Sequence, residues 1–252
     1  MTKTQITKQL IKKMQLNKYI ALCGITSRRK ANIPIKQGKI TVNGETVDEL
    51  GVTVNPQKDI IRLDHKVLKI PQQYRYIVLN KPVNTITSFT DKRNRKLVVD
   101  CVNVKERIFP VGRLDYDTTG VLLLTNDGDL TYRLSHPKFE IDKVYEIIVL
   151  GNITVNDIRK LKTGIEIGNR EIVSGEAQII KKDSEKSSLE IIIHQGKKRQ
   201  IKRMMKKINH PVIKLTRTVF GGLTTEGLKE GEWRDLKTEE VKMLYEKTGL
   251  TR

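Results

Sequence analysis

The stretch GRLDYDTTGVLLLTNDGDL, residues 112–130, decides how the rest of the chain is read. Its middle, VLLLT at 121–125, is a short continuous apolar run, the pattern of a strand buried on both faces. The IFPVG segment at 108–112 is also strand-like, and Asp115 lies between the two. On residue type alone Asp115 reads as a turn aspartate. Its place between two strands also suits a side chain that must be held rigidly. Further out, strand-like runs cover 76–80, 144–150, 172–181 and 189–194, and PVIKLTRTVF continues the series at 211–220. Helical periodicity covers 130–134, 155–161, 198–208 and 239–247, with Thr154 as N-cap of the second and Asp157 three residues on. Strands separated by turns and a few helices predict an α+β domain built on a mixed, mainly antiparallel sheet.

Upstream lies a smaller module. A helix is expected over 16–23, stopped by Gly24, with Thr26 or Ser27 opening a second. Residues 39–42 alternate as a strand, and Asn43-Gly44 is a hairpin turn signal. IPQQ at 70–73 reads as a linker. The chain therefore divides into a basic tail (1–14), a small module (15–69), a linker (70–75) and the larger domain (76–252). No repeat or low-complexity segment appears.

The chain has 252 residues and a formal net charge of +19, which points to a polyanionic partner. Residues 1–70 hold 14 Lys+Arg against 5 Asp+Glu, and the first acid is Glu45. An acid-free start is compatible with organelle targeting. This one is Lys-rich with no Ser or Arg before Ser27, which favours a short basic tail. A second concentration, residues 195–217, has six Lys, three Arg and no acid. There Ile201, Met204, Met205 and Ile208 form one apolar stripe, so the helix should dock on a sheet and present its charged face outward, closed by Pro211.

Several function classes lose their carriers. Walker, dinucleotide-binding, HExxH and GxSxG motifs are missing. The two cysteines, Cys23 and Cys101, are far apart, and the four histidines are scattered. Asp115–Gly120 looks like the start of a calcium loop, but Asn126 stands where a bidentate Glu is needed. No metal is expected.

Residues 16–44 resemble an S4 RNA-binding domain. Ser27, Arg28, Arg29, Lys30, Gly38 and Asn43-Gly44 fall on that family's positions. Gln15 stands where its members carry Arg, and Pro34 falls inside the second helix, which should be kinked or short. The larger part resembles the pseudouridine synthases of the RsuA/RluB/RluE/RluF family, from about Tyr74 to Leu244. Four blocks carry the likeness: Lys81-Pro82; Gly112-Arg113-Leu114-Asp115; Lys143 and Tyr145; and Gly196, Arg199, Gln200, Ile201, Lys202, Arg203, Met204. HPKFEIDKVYEI at 136–147 is most similar to the RluB-type branch, which acts on large-subunit rRNA.

The resemblance implies an rRNA uridine isomerase that needs no cofactor. It implies Asp115 as catalytic nucleophile or base, and Tyr145 as stacking or proton-abstracting residue. Arg199 would be the cationic partner that an ionised Asp in a partly dry site requires. RNA contacts are expected from Arg113, Lys81, Arg28, Arg29, Lys30, Lys198, Lys202 and Arg203. A monomer in a bacterial-type cytoplasm, acting on free rRNA or an assembling subunit and not on a membrane, completes the expectation. Two alternatives remain open: a small-subunit rRNA enzyme, and a catalytically idle rRNA-binding assembly factor. A DNA-binding protein is disfavoured, since no DNA recognition motif appears.

Overall fold

The described residues divide between Tyr74 and Arg75 into two compact units, each with a hydrophobic core of its own. The computed structural model describes residues 13–71 and 73–251. All but the last two residues of the expected basic tail lie outside the described residues, as does Gln72 of the expected linker.

The N-terminal unit runs β1 (Met14–Gln15), α1 (Leu16–Leu22), α2 (Asn32–Lys36), β2 (Ile40–Val42), β3 (Glu45–Val47), β4 (Thr53–Val54), β5 (Ile61–Leu63) and β6 (Lys66–Val67). Its sheet has the order β3-β2-β5-β6, and β1 pairs with β4. Asn43 and Gly44 join β2 to β3 with φ of 54° and 95°, the double positive φ that a two-residue hairpin of primed type requires. Leu16, Tyr19 and Ile20 of α1 pack with Ile35 of α2 against Ile40, Val54 and Ile61.

The second helix begins later than the sequence predicts. Ser27 accepts a hydrogen bond at Oγ from Lys30 N–H (3.3 Å), and successive turns occupy 28–31 before α2 starts at Asn32. Pro34 is thereby the third residue of a five-residue helix. There its missing N–H removes no intrahelical bond, because in the first turn the acceptor four residues back would lie outside the helix.

The second unit contains β7 (Tyr76–Lys81), β8 (Phe109–Pro110), β9 (Thr119–Thr125), α3 (Gly128–Ser135), β10 (Lys143–Leu150), α4 (Val155–Thr163), β11 (Ile165–Glu166), β12 (Ile172–Val173), β13 (Glu176–Lys182), β14 (Lys186–Ile193), α5 (Gln200–Lys207), β15 (Val212–Phe220), β16 (Trp233–Asp235) and α6 (Thr238–Lys247). The main sheet is ordered β13-β14-β10-β15-β9-β7-β16, with β8 also on β9. All its pairings are antiparallel except β15 with β9. This is the α+β architecture the sequence predicts. The stripe Ile201, Met204, Met205 and Ile208 enters the core beside Ile147, Val149, Leu189 and Leu215. Thr154 and Asp157 form a reciprocal cap on α4: Thr154 Oγ1 accepts from Asp157 N–H (3.2 Å), and Asp157 accepts from Thr154 N–H (3.1 Å).

Three local expectations change. The run predicted as one strand at 172–181 breaks at Ser174-Gly175. β12 pairs in a separate hairpin with β11, and β13 forms an edge of the main sheet. A Cβ at Gly175 would meet Ile193 Cγ2 at 2.9 Å, so the crossing needs glycine. Helix α5 ends before Pro211, because Asn209 adopts the left-handed conformation (φ 63°) that stops helices. The strand expected at 108–112 shortens to β8.

A single row of side-by-side residues crosses the middle of the main sheet. Register aligns Ile191 of β14, Tyr145 of β10, Arg217 of β15, Gly120 of β9 and Lys81 of β7. Gly120 has φ 101°, and a Cβ there would lie 2.1 Å from the Arg217 carbonyl oxygen. Only glycine lets β9 and β15 approach in parallel at this point. No helix among the described residues is long and apolar enough to cross a membrane.

Candidate active site

The loop from Val111 to Thr118, between β8 and β9, carries Asp115 and is held at three points. Val111 N–H donates to Leu123 O (2.8 Å). Thr87 Oγ1 donates to Leu114 O (2.8 Å) and accepts from Leu114 N–H (3.3 Å). Lys81 Nζ donates to Thr118 O (2.8 Å) and Pro82 O (2.9 Å). With Leu114 buried as an anchor, Asp115 is fixed in the lining of a cleft of about 220 Å³.

Tyr145 and Arg217, neighbours across β10 and β15, belong to the same cleft, and so do Lys143, Arg113, Lys198 and Arg199. Asp115 is the only acid among the lining residues. The loop leading into α5 closes this side. Gln200 accepts at Oε1 from Lys197 N–H (3.1 Å), and Arg199 caps the helix in the left-handed conformation, φ 51°. Glu171, from the turn after β11, pairs with Lys197 (2.7 Å) and pins that loop from outside.

Five sequence expectations thus meet in one place: Asp115, Tyr145, Arg199, Arg113 and Lys198. Others do not. Lys81 is fully buried beneath the Asp115 loop, so in this structure it positions that loop and offers no surface to RNA. Lys202 is ion-paired with Asp117, and Arg203 donates from Nε to Ile167 O (3.0 Å) and approaches Glu171 (3.7 Å). Both are committed within the unit. Neither Asp115 nor Arg199 forms an ion pair among the described residues. The expected Asp115–Arg199 pair is therefore not made here, and the charge of Arg199 acts on Asp117. Arg28, Arg29 and Lys30 are exposed in the N-terminal unit, with Arg28 bonded to Gln15 Oε1 (2.7 Å) and Asn17 Oδ1 (3.3 Å).

Arg217 went unassigned in the sequence, although its signal is visible. In VIKLTRTVF it occupies the buried phase with Leu215, a costly position for a charge unless it has a task. It is 2% exposed, donates from Nε to Val121 O (2.8 Å) and lies 4.6 Å from the Phe220 ring centroid. Lys143 likewise takes the buried phase of β10 and donates to Ile141 O (2.9 Å) and His194 O (2.7 Å).

Burial pushes the Lys143 ammonium down to about 8, reinforced by Arg217 and opposed by Asp142. Burial pushes Lys81 to about 8 as well, against the pull of Asp117, Cys101 and Asp115. Burial alone would raise the Asp117 carboxyl, but the Lys202 hydrogen bond and charge outweigh it and hold it below the usual range. Three deeply buried polar atoms of lining residues, Arg217 Nη2, Gln200 Nε2 and Thr118 Oγ1, have no hydrogen-bond partner among the described residues. Buried polar groups are ordinarily paired, so this wall is built to face something polar.

The sequence model of a family described as RNA pseudouridylate synthase matches residues 75–207. The chain belongs to that family. The match spans the Asp115 loop, β10 and the head of α5. Relatives of this pseudouridylate synthase cover nearly the whole chain. A ribosomal large subunit pseudouridine synthase B from Bacillus subtilis is 42% identical over 91% of this chain and 95% of its own. An uncharacterized RNA pseudouridine synthase from Aquifex aeolicus is 38% identical over 94% and 96%. A crystal structure of a pseudouridylate synthase superposes with a TM-score of 0.66 at 28% identity, covering 92% of this chain and 99% of that one. The synthase is an RNA-directed isomerase, and its mixed, mainly antiparallel sheet is the architecture of that relative.

Proposed function

We propose that this synthase converts one uridine of large-subunit rRNA to pseudouridine, with Asp115 as nucleophile or base. The observation that carries the reading is the charge pattern of the cleft: one carboxylate faces a wall of Arg and Lys, with a buried tyrosine beside it. The reaction breaks the ribose C1′–N1 bond, turns the uracil, joins C1′ to C5, and exchanges the proton lost from C5 for one taken up at N1. The same atoms leave as entered, so no redox or energy-supplying cofactor is required.

In this reading Asp115 assists the loss and recapture of the base. Tyr145 lies against the flipped uracil, and its hydroxyl takes the C5 proton while passing its own to solvent. Arg217 and Gln200 supply donors for the uracil carbonyls from the buried wall. Arg199 is free to pair with Asp115 or a phosphate once RNA binds. Extruding the uridine costs a few kcal/mol, which contacts elsewhere must offset. Arg113 and Lys198 would hold the strand at the cleft. Arg28, Arg29 and Lys30 of the N-terminal unit, read as an S4 domain, would grip folded rRNA through its phosphates. Large-subunit rRNA is favoured over small-subunit rRNA by the 42% identity to the Bacillus subtilis enzyme. The enzyme is read as a monomer acting in a bacterial-type cytoplasm.

The test is pseudouridine mapping of rRNA from cells lacking the protein, complemented with wild type or Asp115→Asn. One large-subunit pseudouridine should vanish, return with wild type and stay absent with the variant. Persistence of every rRNA pseudouridine in the deletion would overturn the proposal.

A further inference from the structure

Helix α3 and the turn after it carry a second surface, next to the cleft but not part of it. Tyr132 of α3 and His136, which follows the helix with extended backbone, bring their ring centroids to 5.2 Å. Phe139 meets both edge-on, at 6.1 Å and 6.4 Å. Lys138 Nζ lies 4.8 Å from the Phe139 centroid and 5.5 Å from that of Tyr132, and the Arg133 guanidinium lies 5.5 Å from Phe139. Tyr132 is 51% exposed.

This cluster is rigidly mounted. Asp127 caps α3 by accepting from Leu130 N–H (3.1 Å), and Leu130 and Leu134 anchor the helix in the core. Arg133 ties it to the C-terminal segment through Thr248 O (2.7 Å) and Gly249 O (3.0 Å). Leu134 and Ser135, lying between Tyr132 and His136 in the chain, line the cleft itself. The exposed rings therefore adjoin the place where the target nucleotide would enter.

We propose that Tyr132, His136 and Phe139 form a stacking platform for an unpaired RNA base next to the target uridine, with Lys138 contacting its phosphate. The proposal rests on the reading of the cleft as a uridine site. Its ligand class follows from the chemistry on the surface. The exposed Tyr132 and His136 rings, backed by the half-buried Phe139 and beside a cation, offer a π-face for a base and a charge for its phosphate. An apolar protein segment would instead meet the Lys138 ammonium, which has no carboxylate partner among the described residues. The chain has only four Phe, one Trp and seven Tyr, so a cluster at the cleft's edge is a concentrated use of a scarce resource.

The test uses the rRNA fragment that the wild type modifies, with 2-aminopurine placed in turn at each nucleotide flanking the target. Binding should quench the fluorescence at one flanking position. Tyr132→Ala should abolish that quench and raise KM for the fragment about tenfold, the order expected for one lost stack. Tyr132→Phe should restore both. Tyr132→Leu, which keeps apolar bulk without the ring, should behave as Tyr132→Ala and guards against a folding defect. Unchanged KM and quench in the Ala and Leu variants, with wild type active, would sink the platform and leave the uridine reading intact. Wild type that modifies no rRNA fragment would sink the uridine reading itself. Variants that bind RNA normally but no longer associate with assembling subunits would assign the surface to a protein and overturn the proposal.

Discussion

Arg28 and Arg217 are the same residue type put to opposite uses. Arg28 stands exposed on the turn that opens α2's approach, its guanidinium bonded to the neutral side chains of Gln15 and Asn17. Arg217 is locked into the sheet, bonded to a backbone carbonyl and lying by the Phe220 ring. An exposed cation attracts phosphate from a distance and is weakened by salt within about 8–10 Å. A buried one acts only at contact and is scarcely screened. The formal charge of +19 therefore mixes two populations: cations free for a polyanion, and cations consumed by partners within the C-terminal unit, such as Lys81, Lys143, Lys202 and Arg203.

The largest expected effect lies in the cleft. Asp115→Asn should lower turnover by about 10³-fold or more while RNA affinity, measured by filter binding, holds. A variant with normal turnover would move the chemistry to another residue. Next comes the contact that brings the buried row together. Gly120→Ala should destabilise the C-terminal unit by about 3 kcal/mol or more, since it adds both strain and a backbone clash. Urea unfolding would reveal this as one shifted transition, with the N-terminal unit's transition unmoved.

Salt separates the two arginine populations directly. Changing Arg28 and Arg29 together to Ala should reduce the slope of log affinity against log salt by about 1.5, at roughly 0.7–0.9 per phosphate lost. Arg217→Met should lower turnover and leave that slope alone. A flattened slope with Arg217→Met would erase the distinction.

The smallest effect is a pH dependence. In the folded state Lys143 holds its proton only up to about pH 8, whereas the unfolded chain holds it to roughly 10.4. Below pH 8 both states are charged and the full burial penalty applies. Between these values the unfolded state binds more protons, so stability rises with pH. Relative to Lys143→Met, the wild type should gain at most about 1.4 kcal/mol per pH unit across that window. A flat difference would mean that the ammonium stays protonated in the sheet.

Periodicity made much of this legible. The apolar run at 121–125, the alternation in β10 and the stripe of α5 each follow from local spacing. Hairpin and cap chemistry at Asn43-Gly44 and Thr154–Asp157 is equally local. What spacing could not convey depends on distant partners. Lys202 looks like its exposed neighbours Lys206 and Lys207 until Asp117, 85 residues earlier, is brought beside it. Arg217 acquires its partner from Val121, 96 residues earlier, through a parallel pairing that no local pattern announces. The break at Gly175 was hidden because β12 and β13 read as one β-prone run, although they serve different sheets.

That single parallel pairing also sets a timetable. A ribosome adds roughly 5–20 residues per second, so Arg217 emerges about 5–20 s after Val121. The N-terminal unit, with its own core and its exposed Arg28, Arg29 and Lys30, is by then long complete. During its own synthesis the protein thus displays a basic surface well before it has a wall against which a uridine could be turned.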